Sequence, residues 1–171
     1  MKTNYRTGRL LLRTLTFADA AFIFELVNTA GWIKFIGDRN VHTHEDAEQY
    51  IKKILSNPDV EYRVVILQEE QTPIGVISFI KRNYLEHHDI GFAFLPAYAG
   101  QGYAFEAADT VLTDLLKLKK YATILATTLI DNHSSIRLLK KLGFVFSKEI
   151  INDEDTLQLF TITNKRIYNT Q

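Results

Sequence analysis

Asp89-Ile90-Gly91-Phe92-Ala93-Phe94-Leu95-Pro96-Ala97-Tyr98-Ala99-Gly100-Gln101-Gly102-Tyr103-Ala104 is the stretch on which the reading of the fold turns. Asp89 to Leu95 reads as a strand that stops at Pro96. A loop with two glycines follows. Ala104 to Leu118 then reads as a helix, with Ala104, Ala107, Ala108, Val111, Leu112 and Leu115 on one apolar face. Glycines let the backbone turn sharply and let a ligand come close where a Cβ would obstruct it. The first turn of a helix adds unpartnered N–H groups and the positive end of the helix dipole, which together favour phosphate. Two common phosphate loops are excluded. A dinucleotide fingerprint needs Gly or Ala where Phe105 stands, and a Walker A loop needs the Lys-Ser/Thr pair that is missing after Gly102. On spacing alone, a plain surface loop at a helix start fits equally well.

The flanking segments are of mixed type. Upstream, Tyr62 to Leu67 and Ile74 to Ile80 read as an antiparallel hairpin around Glu69-Glu70-Gln71-Thr72-Pro73. Before them come a strand at Gly8 to Arg13, helices at Asp19 to Asn28 and Asp46 to Leu55, and an irregular stretch from Thr29 to Thr43. Downstream, Ala122 to Leu129 is a strand and Ser134 to Leu142 a short helix stopped by Gly143. Strands at Val145 to Ile150 and Leu157 to Thr163 close the chain. The expected class is α/β, with helices on the faces of a mixed sheet. No linker or internal repeat interrupts the 171 residues, so a single domain over 1–171 is expected.

Composition removes whole classes of function. The 46% apolar and 23% charged content is that of a globular protein. Twenty basic and twenty acidic residues cancel, which argues against a nucleic-acid partner, since such binding draws on a cationic surface. The absence of cysteine removes disulfides, thiolate nucleophiles and cysteine-ligated metals. The longest uncharged stretch, Ile90 to Phe105, is broken by glycines and Pro96 and cannot span a membrane. Met1 to Arg13 has no apolar signal core, so a cytoplasmic enzyme or binding domain is expected.

Against this background the chain resembles the GNAT superfamily of acetyl-CoA-dependent N-acetyltransferases. In that family a Q/R-x-x-G-x-G/A loop, between the fourth strand and the third helix, cradles the pyrophosphate of the coenzyme. Gly102-Tyr103-Ala104 matches the G-x-A part, Gly100 adds a glycine common in one branch, and Ala99 stands where Gln or Arg is frequent. Gly8-Arg9-Leu10-Leu11-Leu12-Arg13, Asp89-Ile90-Gly91-Phe92 and the block from Asn132 to Phe144 match in the same order, so the resemblance covers residue 7 to about 163. The details are similar to the branch typified by the ribosomal-protein alanine acetyltransferases. The resemblance implies a mostly antiparallel sheet of about seven strands, splayed between the fourth and fifth, with about four helices on its faces.

It also implies a reaction: an amine attacks the thioester carbonyl of acetyl-CoA directly, in a ternary complex and without a metal. Amines are mostly protonated at neutral pH, so a general base helps. Asp89 matches the family's acidic residue on the fourth strand, shares a face with Gly91 and Ala93, and would act through water. Glu86, His87 and His88 form an alternative base cluster. Backbone donors around Ala93, Phe94 and Leu95 would meet the oxyanion and pair with the pantetheine arm. The pyrophosphate would lie on Ala99, Gly100, Gln101, Gly102, Tyr103 and Ala104.

The tyrosine that many members use to protonate the leaving thiolate is replaced by Leu139, while Ser135 stands where the N-terminal-acetylating branch places a serine acid. Ser135 reads equally as a helix-start hydroxyl, and Asn132 as an N-cap. The resemblance adds a hydrogen bond from Asn132 to the pantetheine arm. Trp32 and Phe35, expected in a loop, would line the acceptor pocket or anchor the core. Neither Glu86-His87-His88-Asp89 nor His42-x-His44 has the spacing of a closed metal site. The expected partner is a primary amine, a small molecule or a protein N-terminus, met by a monomer or homodimer. The competing reading is a module that binds acyl-CoA without turnover.

Overall fold

β-branched runs on both sides of a tight turn make the centre of the sheet. Val60–Leu67 (β3) and Thr72–Ile80 (β4) pair antiparallel, as the hairpin pattern predicts. The computed structural model describes residues 1–152 and 155–164; residues 153–154 and 165–171 of the domain expected over 1–171 lie outside the described residues. In chain order the other elements are β1 (Asn4–Arg6), β2 (Leu10–Thr14), α1 (Ala20–Val27), α2 (Ala30–Phe35), α3 (His44–Ser56) and β5 (Asp89–Phe94). They continue with α4 (Tyr103–Leu116), β6 (Thr123–Leu129), α5 (His133–Lys141), β7 (Val145–Asn152) and β8 (Asp155–Thr163).

The strands form one sheet in the order β1-β2-β3-β4-β5-β6-β8-β7. Every pairing is antiparallel except β5 with β6. The described residues thus hold eight strands and five helices where about seven and four are expected. Both additions are short. β1 has three residues, too few for alternation to show. α2 has six, in a stretch read as irregular because Gly31 sits in its first turn. Thr29 caps α2 by accepting the Trp32 N–H at 3.3 Å.

Local signals explain the longer helices. α3 begins with a capping box: Asp46 N–H donates to Thr43 Oγ1, and Thr43 N–H donates to Asp46 Oδ2. It stops at Asn57, before Pro58. α5 ends at Gly143, whose φ of 89° suits glycine, with Phe144 N–H returning to the Leu139 carbonyl at 3.0 Å.

The helices cover both faces of the sheet. α4 contributes Ala107, Ala108, Val111, Leu112, Leu115 and Leu116 to one layer, joined by Leu139 and Leu142 after it. On the other face Phe22, Ile23, Leu26 and Val27 of α1, Trp32 of α2 and Ala47, Ile51 and Ile54 of α3 form the second layer. Asp19 ties that layer to β2: its carboxylate takes two hydrogen bonds from Arg13, at 2.7 and 2.8 Å, and one from the Thr16 N–H. Among the described residues no helix is long and apolar enough to cross a membrane.

Candidate active site

The site is organised by the departure of β5 from its parallel neighbour. Among the described residues β5 and β6 share one register pair, Asp89 with Leu125, held by the Leu125 N–H on the His88 carbonyl at 2.9 Å. Beyond it the strands part, as the expected splay requires. On its other side β5 stays paired with β4 from Asp89 to Phe94. The Leu95 N–H continues that pairing by donating to the Ile74 carbonyl at 2.9 Å. Since backbone groups along a strand alternate in direction, the Ala93 peptide also faces β4. Of the three expected donors, only the Phe94 N–H faces the gap, with that of Phe92 behind it.

A 3-10 turn over Pro96–Tyr98 leads from β5 into the glycine loop. Gly100 and Gly102 have φ of 75° and 83°, the left-handed region where a side chain is strained. A Cβ on Gly100 would meet nothing within 4 Å, whereas one on Gly102 would stand 3.4 Å from the Arg9 guanidinium. Gly102 is the N-cap of α4 and has no side chain with which to cap it. The N–H groups of Gly102, Tyr103, Ala104 and Phe105 therefore gather at a helix start with no intrahelical acceptor. Gln101 turns away, its Nε2 donating to the Ala97 carbonyl at 3.1 Å, and Ala99 is exposed.

Asp89 is buried, 3% exposed, and accepts from Arg82 Nε at 2.9 Å. Burial pushes its carboxyl above the ordinary range, and Arg82 opposes that shift. Its strand face is the one expected: Ile90, Phe92 and Phe94 pack with the α4 layer, and Ala93 packs with the α1–α3 layer. Gly91 sits over Ser78, so closely that a Cβ would lie 2.6 Å from the serine hydroxyl. Tyr62 is across β4 from Gly91, paired with Ser78; burial and its contact with Tyr50 hold its phenol well above the usual range. Asp89, Arg82, Ser78 and Tyr62 make a polar floor on this face.

The alternative base cluster is dispersed. His88 stacks on Phe79 with ring centroids 4.9 Å apart and lies edge-on to Tyr121, on the opposite face from Asp89. Burial and Lys81 push its pKa down. Glu86 and His87 are exposed. Among the described residues no group of three or more His, Asp or Glu is arranged to hold a metal.

Asn132 is the N-cap of α5: Oδ1 accepts from the Ser135 N–H at 3.1 Å and from the Ser134 hydroxyl at 3.0 Å. That leaves its amide NH2 and the half-buried Ser135 at the start of the helix that follows the C-terminal end of β6. Leu139 is 1% exposed in the core, so the usual acid position points into packing. α2 is tied to the loop before α5 by an ion pair of 2.9 Å between Lys34 and Asp131. Lys34 also lies over the ring of the half-buried Phe35, at 4.7 Å. Trp32 departs from the loop expectation. It is 4% exposed within the α1–α3 layer, and its indole N–H is buried without a hydrogen-bond partner among the described residues.

Two site residues escape a reading of the sequence. Arg82 lies in a charged turn seven positions before Asp89, and Arg9 is 97 residues from its partner Glu106. Arg9 falls within a block already noted; its partner does not.

Known proteins give these features a family. The model of the acetyltransferase (GNAT) domain matches residues 9–145. The uncharacterized N-acetyltransferase YnaD of Bacillus subtilis (strain 168) is 35% identical over 137 residues, 80% of this chain and 79% of that protein. A GNAT-family acetyltransferase from Bacillus anthracis superposes with a TM-score of 0.80 at 27% identity, over 95% of this chain and 99% of its own. The ribosomal-protein-S5-alanine acetyltransferase of Vibrio fischeri shares the fold, with a TM-score of 0.80 at 20% identity over 95% and 97% of the two chains. The splayed strands, the glycine loop and these matches lead to one conclusion: the chain belongs to the GNAT family and is an acetyl-CoA-dependent N-acetyltransferase.

Proposed function

We propose that the protein transfers the acetyl group directly to a primary amine in a ternary complex, with acetyl-CoA lying along the gap between β5 and β6. The observation that carries this reading is the alignment of that gap with the uncapped start of α4. Donors for an extended amide chain and for a pyrophosphate follow one another along one continuous segment, from β5 to the first turn of α4. The pyrophosphate meets the N–H groups around Gly100–Ala104, and the pantetheine arm runs beside Phe92 and Phe94 as an added strand would. The Asn132 amide donates to that arm.

In the transfer step the amine nitrogen attacks the thioester carbon, and the oxygen that gains charge is met by the Phe94 N–H. The C–S bond then breaks. Ser135 relays a proton to the leaving sulfur, regaining one from water as it does so, and Asp89 accepts, through water, the proton lost by the amine. Burial raises the Asp89 pKa and so makes its carboxylate a stronger base, while the ion pair with Arg82 opposes that rise. Phe35 and Lys34 form the wall where the acceptor enters. The finer reading of the acceptor is a peptide or protein N-terminus, supported by the Ser135 position and its block. An α-amino group, with a pKa of about 8, also needs less help to lose its proton than a lysine does.

The test is release of free thiol from acetyl-CoA with a panel of N-terminally varied peptides, polyamines and aminoglycosides. Turnover is expected, with peptides preferred. Tight binding of acetyl-CoA without turnover of any amine would favour the binding module, the reading consistent with Leu139 occupying the usual acid position.

A further inference from the structure

The glycine loop is held from outside as well as by its own bonds. Arg9, in the turn between β1 and β2, reaches it from the far end of the sheet. Its Nη1 donates to the Gln101 carbonyl at 3.0 Å, and its guanidinium carbon lies 4.3 Å from the centre of the Tyr103 ring. Nε donates to Glu106 Oε2 at 2.8 Å and Nη2 pairs with the same oxygen at 2.7 Å. Glu106 is itself fixed by the Thr7 hydroxyl and by the Arg9 N–H at 3.2 Å. These bonds bring its carboxyl below the usual range, against the effect of burial.

The consequence follows from the planarity of the peptide bond. The Gln101 carbonyl and the Gly102 N–H belong to one trans unit and point in opposite directions. A guanidinium that holds the carbonyl therefore aims the N–H away from itself. The next peptide is fixed as well, because the Gly102 carbonyl accepts the Glu106 N–H at 3.0 Å. Both peptides flanking Gly102 are thus anchored, although its left-handed φ lies in a region glycine can readily leave. Arg9 also neutralises Glu106, a carboxylate in the first turn of the helix that would otherwise repel a bound anion.

We propose that Arg9 is a positioning residue for the coenzyme loop, setting the direction of the Gly102 N–H and cancelling the charge of Glu106 without touching the coenzyme itself. This rests on the reading of Gly100–Ala104 as the pyrophosphate site. A lysine at position 9 would keep the charge but not the planar fork that serves carbonyl and carboxylate together.

The test uses the full-length, 15N-labelled chain and its Arg9→Lys and Arg9→Ala variants, titrated with CoA by calorimetry and by amide spectra. For the unmodified chain, CoA should shift the Gly102, Tyr103 and Ala104 amides. Both variants should bind CoA about tenfold or more weakly, the loss of a charge-assisted, two-pronged contact. At saturation the Gly102 shift should shrink while those of Phe92 and Phe94 persist. Binding by Arg9→Lys within twofold of the unmodified chain, with the Gly102 shift intact, would overturn the proposal whether or not Arg9→Ala folds. CoA binding that leaves the Gly102–Ala104 amides of the unmodified chain unmoved would overturn the pyrophosphate reading itself.

Discussion

The two sides of β5 are made of different materials. Toward α4 and α5 stand Ile90, Phe92 and Phe94, and the donors proposed for the coenzyme there are mostly backbone groups of one continuous segment, joined by the Asn132 amide. Toward α1–α3 stand Asp89, Gly91 and Ala93, completed by side chains from separate elements: Arg82, Ser78 and Tyr62. The first side needs only a strand, a loop and a helix start to recur together. The second depends on which side chains the fold brings to one floor. One architecture can therefore keep a coenzyme while the acceptor and its chemistry vary.

The strongest way to break this contrast is at Asp89. Asp89→Asn should lower the rate by ~10²–10⁴-fold while CoA affinity stays within about twofold, as expected for a general base that does not hold the coenzyme. Steady-state rates beside calorimetry would show it; equal losses in both would place Asp89 in coenzyme binding. The pH profile sharpens the assignment. Arg82 lowers the Asp89 pKa, so Arg82→Gln should move the acid limb of kcat/KM to higher pH. An unmoved limb would assign it to another group.

Asp19 probes the scaffold of the acceptor side. Its partner Arg13 is about a third exposed, so Asp19→Asn should cost about 2–3 kcal/mol in urea unfolding, below the ~3–5 of a fully buried pair. The carboxyl is held below its ordinary 3.8: burial would raise it, but the hydrogen bonds from Arg13 and Thr16 outweigh that effect. A depressed folded pKa stabilises above the unfolded value, and the benefit disappears as pH falls below about 4. Asp19→Asn should accordingly flatten the acid limb of the stability profile. An unchanged limb would detach Asp19 from acid unfolding.

On the coenzyme side, Gly102→Val should weaken CoA binding by about tenfold, since a β-branched residue at φ near 83° costs ~1–2 kcal/mol and presses on Arg9. Calorimetry on a folded variant with unchanged affinity would refute it. The smallest effect is expected at Ser135. Ser135→Ala should slow transfer from acetyl-CoA by several-fold, and less from a thioester with a more acidic leaving thiol. Identical slowing with both donors would leave Ser135 only its place at the helix start.

What could be read in advance follows the same division. α4, α5 and the β3–β4 hairpin are long enough for their periodicity to show, and Gly143 marks an end that the backbone requires. α2 failed because six residues with a glycine carry too little pattern against the turn signals around them. In sequence Trp32 stays open between pocket and core for a different reason: a tryptophan in an apparent loop fits either, and only the closure of α1 and α3 over it decides for the core. His88 and Asp89, adjacent in sequence, face opposite ways once the strand is in place. The Leu95 N–H was claimed by Ile74, a partner 21 positions earlier. Such losses are set by register, which residue types do not specify.

The parting of β5 from β6 has a further consequence for the molecule as an aggregating and degradable object. A sheet that opens in its middle has four edges instead of two, and exposed edges are templates for pairing with other chains. Here the two extra edges belong to neighbouring strands that part after one register pair, Asp89 with Leu125. A narrow extended ligand there, as proposed for the pantetheine arm, would complete the ladder that the sequence leaves open. Because such a ligand binds only the folded chain, at one hundred times its Kd it adds about 2.7 kcal/mol to stability. The lifetime of the protein in a cell would then follow the supply of its own acyl donor.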